Sequence, residues 1–84
     1  MENTEVIEAV RAKLFAGDEE GFISLLISMK EAGISQRQVY DCLVELWDRL
    51  DVKENDAELD RLSNWITTVM GRVAPQYRIW DDRL

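Results

Sequence analysis

The chain has no histidine and only one cysteine among its 84 residues. Without histidine there is no imidazole to act as a general base or a metal ligand near neutral pH. A lone cysteine forms no disulfide framework, and it has no histidine partner with which to bind zinc or become an activated nucleophile. We therefore expect a protein that is not an enzyme and has no metal or cofactor, with Cys42 as a small apolar core residue.

Long apolar runs are also missing. No stretch approaches the roughly 20 apolar residues that cross a bilayer, and the acidic start of the chain differs from the basic start of a secretory signal. The length suits one domain covering residues 1–84. A composition of 46% hydrophobic and 32% charged residues is typical of a globular chain. These features predict a single-domain cytoplasmic protein that does not bind membranes.

Positive charge is scarce, with 10 basic against 17 acidic residues and a formal net charge of −7. The excess is concentrated in residues 41–60, where eight acidic residues stand against two basic ones. Nucleic acids and anionic membranes attract proteins of positive potential. We therefore expect a basic protein, rather than nucleic acid, as the partner.

Apolar residues recur at helical spacing in four segments, and no segment shows the period-two alternation of a strand. The predicted helices cover about 4–16, 18–32, 35–50 and 57–70, with Asn3 or Thr4 as the first cap and Asp18, Ser35 and Asn55 or Asp56 as the others. Short connections between them predict an all-α fold, a compact antiparallel bundle of four helices. The apolar tail, 73–84, is predicted to dock on the bundle, and Pro75 suits the start of a short fifth helix.

The second and third helices carry different apolar patterns. The second is apolar nearly all round, which predicts that it is the most buried helix of the bundle. The third has a clean apolar stripe that includes Trp47, so we expect Trp47 in the core. At about 100° per residue, Asp41, Glu45 and Asp48 lie on the opposite side of the third helix.

The connection between these two helices contains Gly33, Ile34 and Ser35, followed by Val39. Over about a dozen residues this segment resembles the helix-turn-helix of bacterial repressors, although Met29 stands where that family has a small residue. The resemblance implies that a recognition helix would begin with the base-reading residues Gln36, Arg37, Gln38 and Tyr40. The simpler interpretation is a glycine helix stop followed by a serine helix start.

Asp41, Glu45 and Asp48 are the main candidate binding residues. Acidic side chains on a small rigid scaffold attract a cationic protein and imitate the phosphates that it normally binds. The alternative is a solvated face that only keeps the protein soluble. Tyr77 and Trp80 are a second candidate pair, since Tyr and Trp are common binding anchors; otherwise they attach the tail to the bundle, on one face with Leu84.

The expected function is that of a small acidic protein-interaction domain, such as an immunity or antitoxin-type inhibitor in the bacterial cytoplasm. The first alternative is a helix-turn-helix regulator that binds DNA through the segment 29–43. The second is a structural or assembly subunit that self-associates as a homodimer, through Val44 with Val52 or through the tail.

Overall fold

The computed structural model of the chain describes residues 2–80 and contains four α-helices, with no strand in that range. The helices are α1 (Asn3–Ala16), α2 (Glu19–Glu31), α3 (Gln36–Arg49) and α4 (Asp56–Val69). They pack into a four-helix bundle, which confirms the predicted all-α fold. Within the described range, no helix is long and apolar enough to cross a membrane.

Local sequence signals set the ends of α2 and α3. The Asp18 carboxylate accepts a hydrogen bond from the Gly21 N–H (2.9 Å), and the Ser35 hydroxyl accepts one from the Gln38 N–H (3.1 Å). Gly33, between the two helices, has a φ of 86°. Glycine adopts this left-handed conformation without the steric cost that a side chain adds. The predicted stop and start signals are therefore confirmed.

The start of α1 differs from the prediction. The N-cap is Glu2, which makes no side-chain capping bond, while Asn3 and Thr4 lie inside the helix. The Asn3 side chain instead accepts a hydrogen bond from Gln38 Nε2 at 3.0 Å. The Asn3 amide, which the sequence predicts as a cap of α1, thus makes a tertiary contact with α3 instead.

The core is centred on α1 and α3. Helix α1 packs against the three other helices, and α3 packs against α1 and α4. Their fully or almost fully buried side chains are Val6, Ile7, Val10 and Leu14 from α1, and Val39, Cys42, Leu43 and Leu46 from α3. Cys42 is therefore a core residue, as predicted.

The prediction that α2 is the most buried helix is wrong. Helix α2 packs mainly against α1 and lies at the side of the bundle. It buries Phe22, Leu26 and Met29, but Ile23 and Ile27 remain 41% and 43% exposed. A helix that has a neighbour mainly on one side cannot bury an apolar surface that extends nearly all round.

The tail docks on the bundle, as predicted, over its described part. Trp80 is only 8% exposed, and the Lys30 ammonium donates a hydrogen bond to the Ile79 carbonyl at 2.8 Å. The expected fifth helix is a single 3₁₀ turn, Pro75–Tyr77. The predicted role of Leu84 falls outside the described residues.

Candidate protein-binding surfaces

The acidic face of α3 consists of Asp41, Glu45 and Asp48, whose side chains are all exposed. The buried residues of α3 are spaced so that they occupy the other side of the helix. The predicted placement of the three carboxylates on the outer side is therefore confirmed. Whether they bind a partner stays a prediction.

Two arginines of the same helix partly neutralise the acidic face. Arg37 Nε lies 3.2 Å from Asp41 Oδ1, and Arg49 Nη2 lies 2.8 Å from Glu45 Oε1. Asp48 forms no ion pair with another residue of the range 2–80. Exposed pairs such as these contribute below about 1 kcal/mol each, so a partner with a stronger cationic surface can replace them.

The segment between α3 and α4 extends the negative surface. Asp51 and Glu54 are exposed there. The Asp51 carboxylate accepts a hydrogen bond from the Lys53 N–H (2.8 Å), and its backbone carbonyl accepts one from the Asn55 N–H (2.8 Å). These bonds hold the turn in one shape, so that the acidic surface continues from the helix into an ordered connection.

Cys42 is buried beneath the acidic face, and its thiol has a raised pKa. Burial raises the pKa of its thiol above the ordinary value of 9.0, and the negative charges of Glu45 and Asp41 raise that pKa further. The thiol is therefore protonated at neutral pH, and a protonated thiol is a poor nucleophile.

The residues suggested by the helix-turn-helix resemblance differ in exposure: Arg37 is exposed, Gln38 and Tyr40 are half-buried, and Gln36 is buried. Gln36 is buried, and its Nε2 donates a hydrogen bond to the Val69 carbonyl at 2.7 Å, so its predicted contact with DNA is wrong. Arg37 pairs with Asp41 and lies over the half-buried Tyr40 ring, at 5.5 Å from the ring centroid. Moreover, α2 and α3 pack mainly on α1 rather than on each other. The segment is a bundle connection in which Gln36 caps the end of α4.

The aromatic residues are distributed differently from the prediction. Trp47 is 38% exposed and is not a core residue. Trp80, proposed as a binding anchor, is buried and serves the core instead, whereas Tyr77 is 68% exposed. Trp65 is half-buried and stacks on Phe22 with ring centroids 4.3 Å apart. Of the two tail candidates, only Tyr77 is accessible to a partner.

A groove that the sequence analysis did not predict lies between α2, α4 and the tail. This α2–tail groove has a volume of about 740 Å³ and includes the exposed residues Ile23, Ile27 and Tyr77 in its walls. Trp65 lines it from α4, and Arg78 lines it from the tail. The sequence feature that indicates this groove is the surplus of apolar residues on α2, which the apolar pattern alone assigns to burial within the bundle.

Comparison with protein-family models, with curated proteins and with solved structures finds no match. Two surfaces therefore remain as candidate binding sites, the acidic face of α3 and the α2–tail groove. Among residues 2–80, no three or more side chains of the metal-binding types come together.

Proposed function

We propose that the protein is a non-enzymatic interaction domain that binds a basic protein through the acidic face of α3 and the adjoining turn. The observation that carries the proposal is the exposure of all three carboxylates of that face, Asp41, Glu45 and Asp48, next to an ordered acidic turn. Such a surface steers a cationic partner into place and raises the rate of association.

The more specific form of the proposal is an immunity or antitoxin-type inhibitor in the cytoplasm. A small rigid helical scaffold with a net charge of −7 can cover the cationic surface with which a nuclease holds nucleic acid. The absence of histidine and the protonated state of Cys42 support binding rather than chemistry.

The test is affinity isolation from a nuclease-treated lysate of the source organism, followed by association kinetics with the retained protein. The variant Asp41→Asn/Glu45→Gln/Asp48→Asn removes three negative charges from the face. We expect association to slow by about tenfold or more at low salt, and its salt dependence to become shallower, because electrostatic steering acts mainly on the association rate.

The matched control is Glu5→Gln/Glu8→Gln/Glu20→Gln, which removes the same number of exposed charges from α1 and α2. It changes the net charge equally but leaves the acidic face intact. Equal slowing in both variants would show that only total charge matters. Unchanged kinetics in the first variant would disprove the proposed face.

Self-association is the second candidate function, and the exposure of Trp47 favours it. Trp47 lines a shallow groove of about 260 Å³ between α3 and α4, together with Val44 and Ile66. An exposed tryptophan beside aliphatic side chains is a common centre of a protein interface. Val52, which the sequence analysis also suggested, is 67% exposed in the adjoining segment.

Sedimentation equilibrium over a wide concentration range tests this second candidate. If it is right, the chain forms a dimer that Trp47→Gln disrupts, whereas Phe15→Gln, at a similarly exposed aromatic residue of α1, leaves the dimer intact. A monomer at all concentrations would exclude it and leave the acidic-face proposal untouched.

A further inference from the structure

We propose that the α2–tail groove binds an amphipathic helix of another protein, and that this helix carries a carboxylate opposite Arg78. No residue of α3 lines the groove. The site is therefore separate from the acidic face, and this inference does not depend on the function proposed above.

The walls of the groove are apolar side chains that the fold leaves in contact with water. Ile23 and Ile27 are one helical turn apart on α2 and are each more than 40% exposed. Tyr77, across the groove on the tail, is 68% exposed. Burying such side chains is favourable by roughly 25 cal/mol for each Å² removed from water, so this surface gains free energy when a partner covers it.

The dimensions and openness of the groove favour a helix over a small molecule. The α2 wall extends from Ile23 to Glu31, which is about 12 Å at 1.5 Å per residue and matches the 10–12 Å diameter of a helix. A small-molecule site usually buries most of its ligand, whereas the isoleucines here lie on an open surface. Residues three, four and seven apart on a docked helix would contact such a groove.

The charged residues that line the groove indicate the sign of the charge that a partner carries there. The protein carries a net charge of −7, yet the groove is lined by Lys30 and Arg78 against only Glu31. Arg78 Nε is buried and has no hydrogen-bond acceptor within residues 2–80. The Arg78 residue as a whole is only half-buried, so the accessible part of its guanidinium can pair with a carboxylate supplied by the partner.

The groove is built on well-supported elements. Trp65 stacks on Phe22, which is fully buried, with an interplanar angle of 2°. Lys30 ties α2 to the tail through its hydrogen bond to the Ile79 carbonyl. The groove therefore exists before the partner arrives, and a preformed site reduces the ordering cost of binding.

The experiment is selection of a phage-displayed library of helical peptides against the full-length protein. Enriched peptides are synthesised, and their affinities are measured by calorimetry. The binding site is located from the NMR signals of the tryptophan indole N–H groups, assigned with single Trp→Phe variants. We expect enriched peptides with apolar residues at helical spacing plus Asp or Glu, and a shift of the Trp65 signal larger than that of Trp47.

Matched variants separate the groove from other apolar surface. Ile27→Gln is expected to weaken peptide binding by about tenfold or more, whereas Phe15→Gln, an exposed apolar residue on α1, changes it by less than about twofold. Arg78→Gln is expected to cost about tenfold, as for the loss of a charged hydrogen bond, while Arg72→Gln, exposed and outside the groove, has no such effect.

A double-mutant cycle tests the pairing itself. Replacing the peptide carboxylate by an amide should weaken binding to the natural protein but cause little further loss in the Arg78→Gln variant. Failure to enrich any peptide, enrichment of basic peptides, or a dominant shift at Trp47 would overturn the proposal. A dimer of the chain that Ile27→Gln disrupts would also overturn it, because the occupant would then be a second copy.

Discussion

Helices α2 and α3 are nearly equal in length, begin with a side-chain cap and pack against α1, but the residues on their outer faces differ. Helix α3 buries its apolar stripe and exposes carboxylates. Helix α2 buries Phe22, Leu26 and Met29, yet its outer side carries Ile23 and Ile27, both partly exposed.

The difference shows which surface the fold alone explains. Exposed carboxylates on α3 are stable in water without any partner, so their position is compatible with solvation as well as with binding. Exposed isoleucines on α2 are not stabilised by contact with water, and together with Tyr77 they line one groove. The outer side of α2 therefore points to a partner more directly than the acidic face of α3 does.

The largest effect is expected from the inner face of α2. Phe22 is fully buried and stacks on Trp65. Phe22→Ala should lower the free energy of unfolding by about 3–5 kcal/mol, through lost burial and the cavity that remains. Urea denaturation followed by circular dichroism measures this loss. A loss below about 1 kcal/mol would mean that α2 contributes little to the core.

A smaller loss is expected at the first residue of α3. Gln36→Leu removes the hydrogen bond to the Val69 carbonyl. This carbonyl lies in the last turn of α4, where no later N–H of the helix donates a hydrogen bond to it. We expect a loss of about 1–3 kcal/mol in urea denaturation. Gln38→Leu is the control, because its bond to Asn3 is exposed. Equal losses would mean that burial of the Gln36 bond is unimportant.

The pH dependence of stability tests whether the charges of α3 reach its buried side. Because the pKa of Cys42 is raised in the folded state, the unfolded thiol loses its proton first as the pH rises. Stability should therefore fall above about pH 9, at no more than about 1.4 kcal/mol per pH unit from this group.

Denaturation midpoints between pH 7 and 11 measure this slope. Cys42→Ala should remove this part of it, and Asp41→Asn/Glu45→Gln should reduce it. Identical slopes in the natural protein and in Cys42→Ala would contradict the raised pKa.

The smallest change in stability is expected on the outer side of α2. Ile27→Gln should alter the free energy of unfolding by no more than about 0.5 kcal/mol, whereas Leu26→Ala, at the neighbouring buried position, should cost about 2–5 kcal/mol. Thermal and urea denaturation of the two variants provide the measurement. A loss above about 1.5 kcal/mol for Ile27→Gln would place this side chain in the core and remove the wall of the groove.

Much of the local structure could be read from the sequence because its causes are local. The caps at Asp18 and Ser35 act within three residues, and Gly33 ends a helix through its own backbone conformation. The α3 stripe was recognisable because burial and exposure alternate with the helical period. The outer position of Asp41, Glu45 and Asp48 follows from the same periodicity.

The errors concern residues whose surroundings depend on how the helices pack. Trp47 belongs to the apolar stripe of α3 by spacing, but it lies where that stripe reaches the open edge between α3 and α4. Gln36 has the composition of a base-reading residue, yet the end of α4 is packed against it. An apolar residue is buried only where a neighbouring element covers it, and spacing along one helix does not show which neighbour is present.

The four helices, the fold class and the acidic outer side of α3 follow from propensity, capping and periodicity within each segment, and these can be read along the chain. The central position of α1 and α3, the lateral position of α2 and the groove that the tail forms against α2 depend on how the helices pack. Burial is a property of pairs of elements. The same apolar helix is a core helix or a groove wall according to the number of neighbours that cover it.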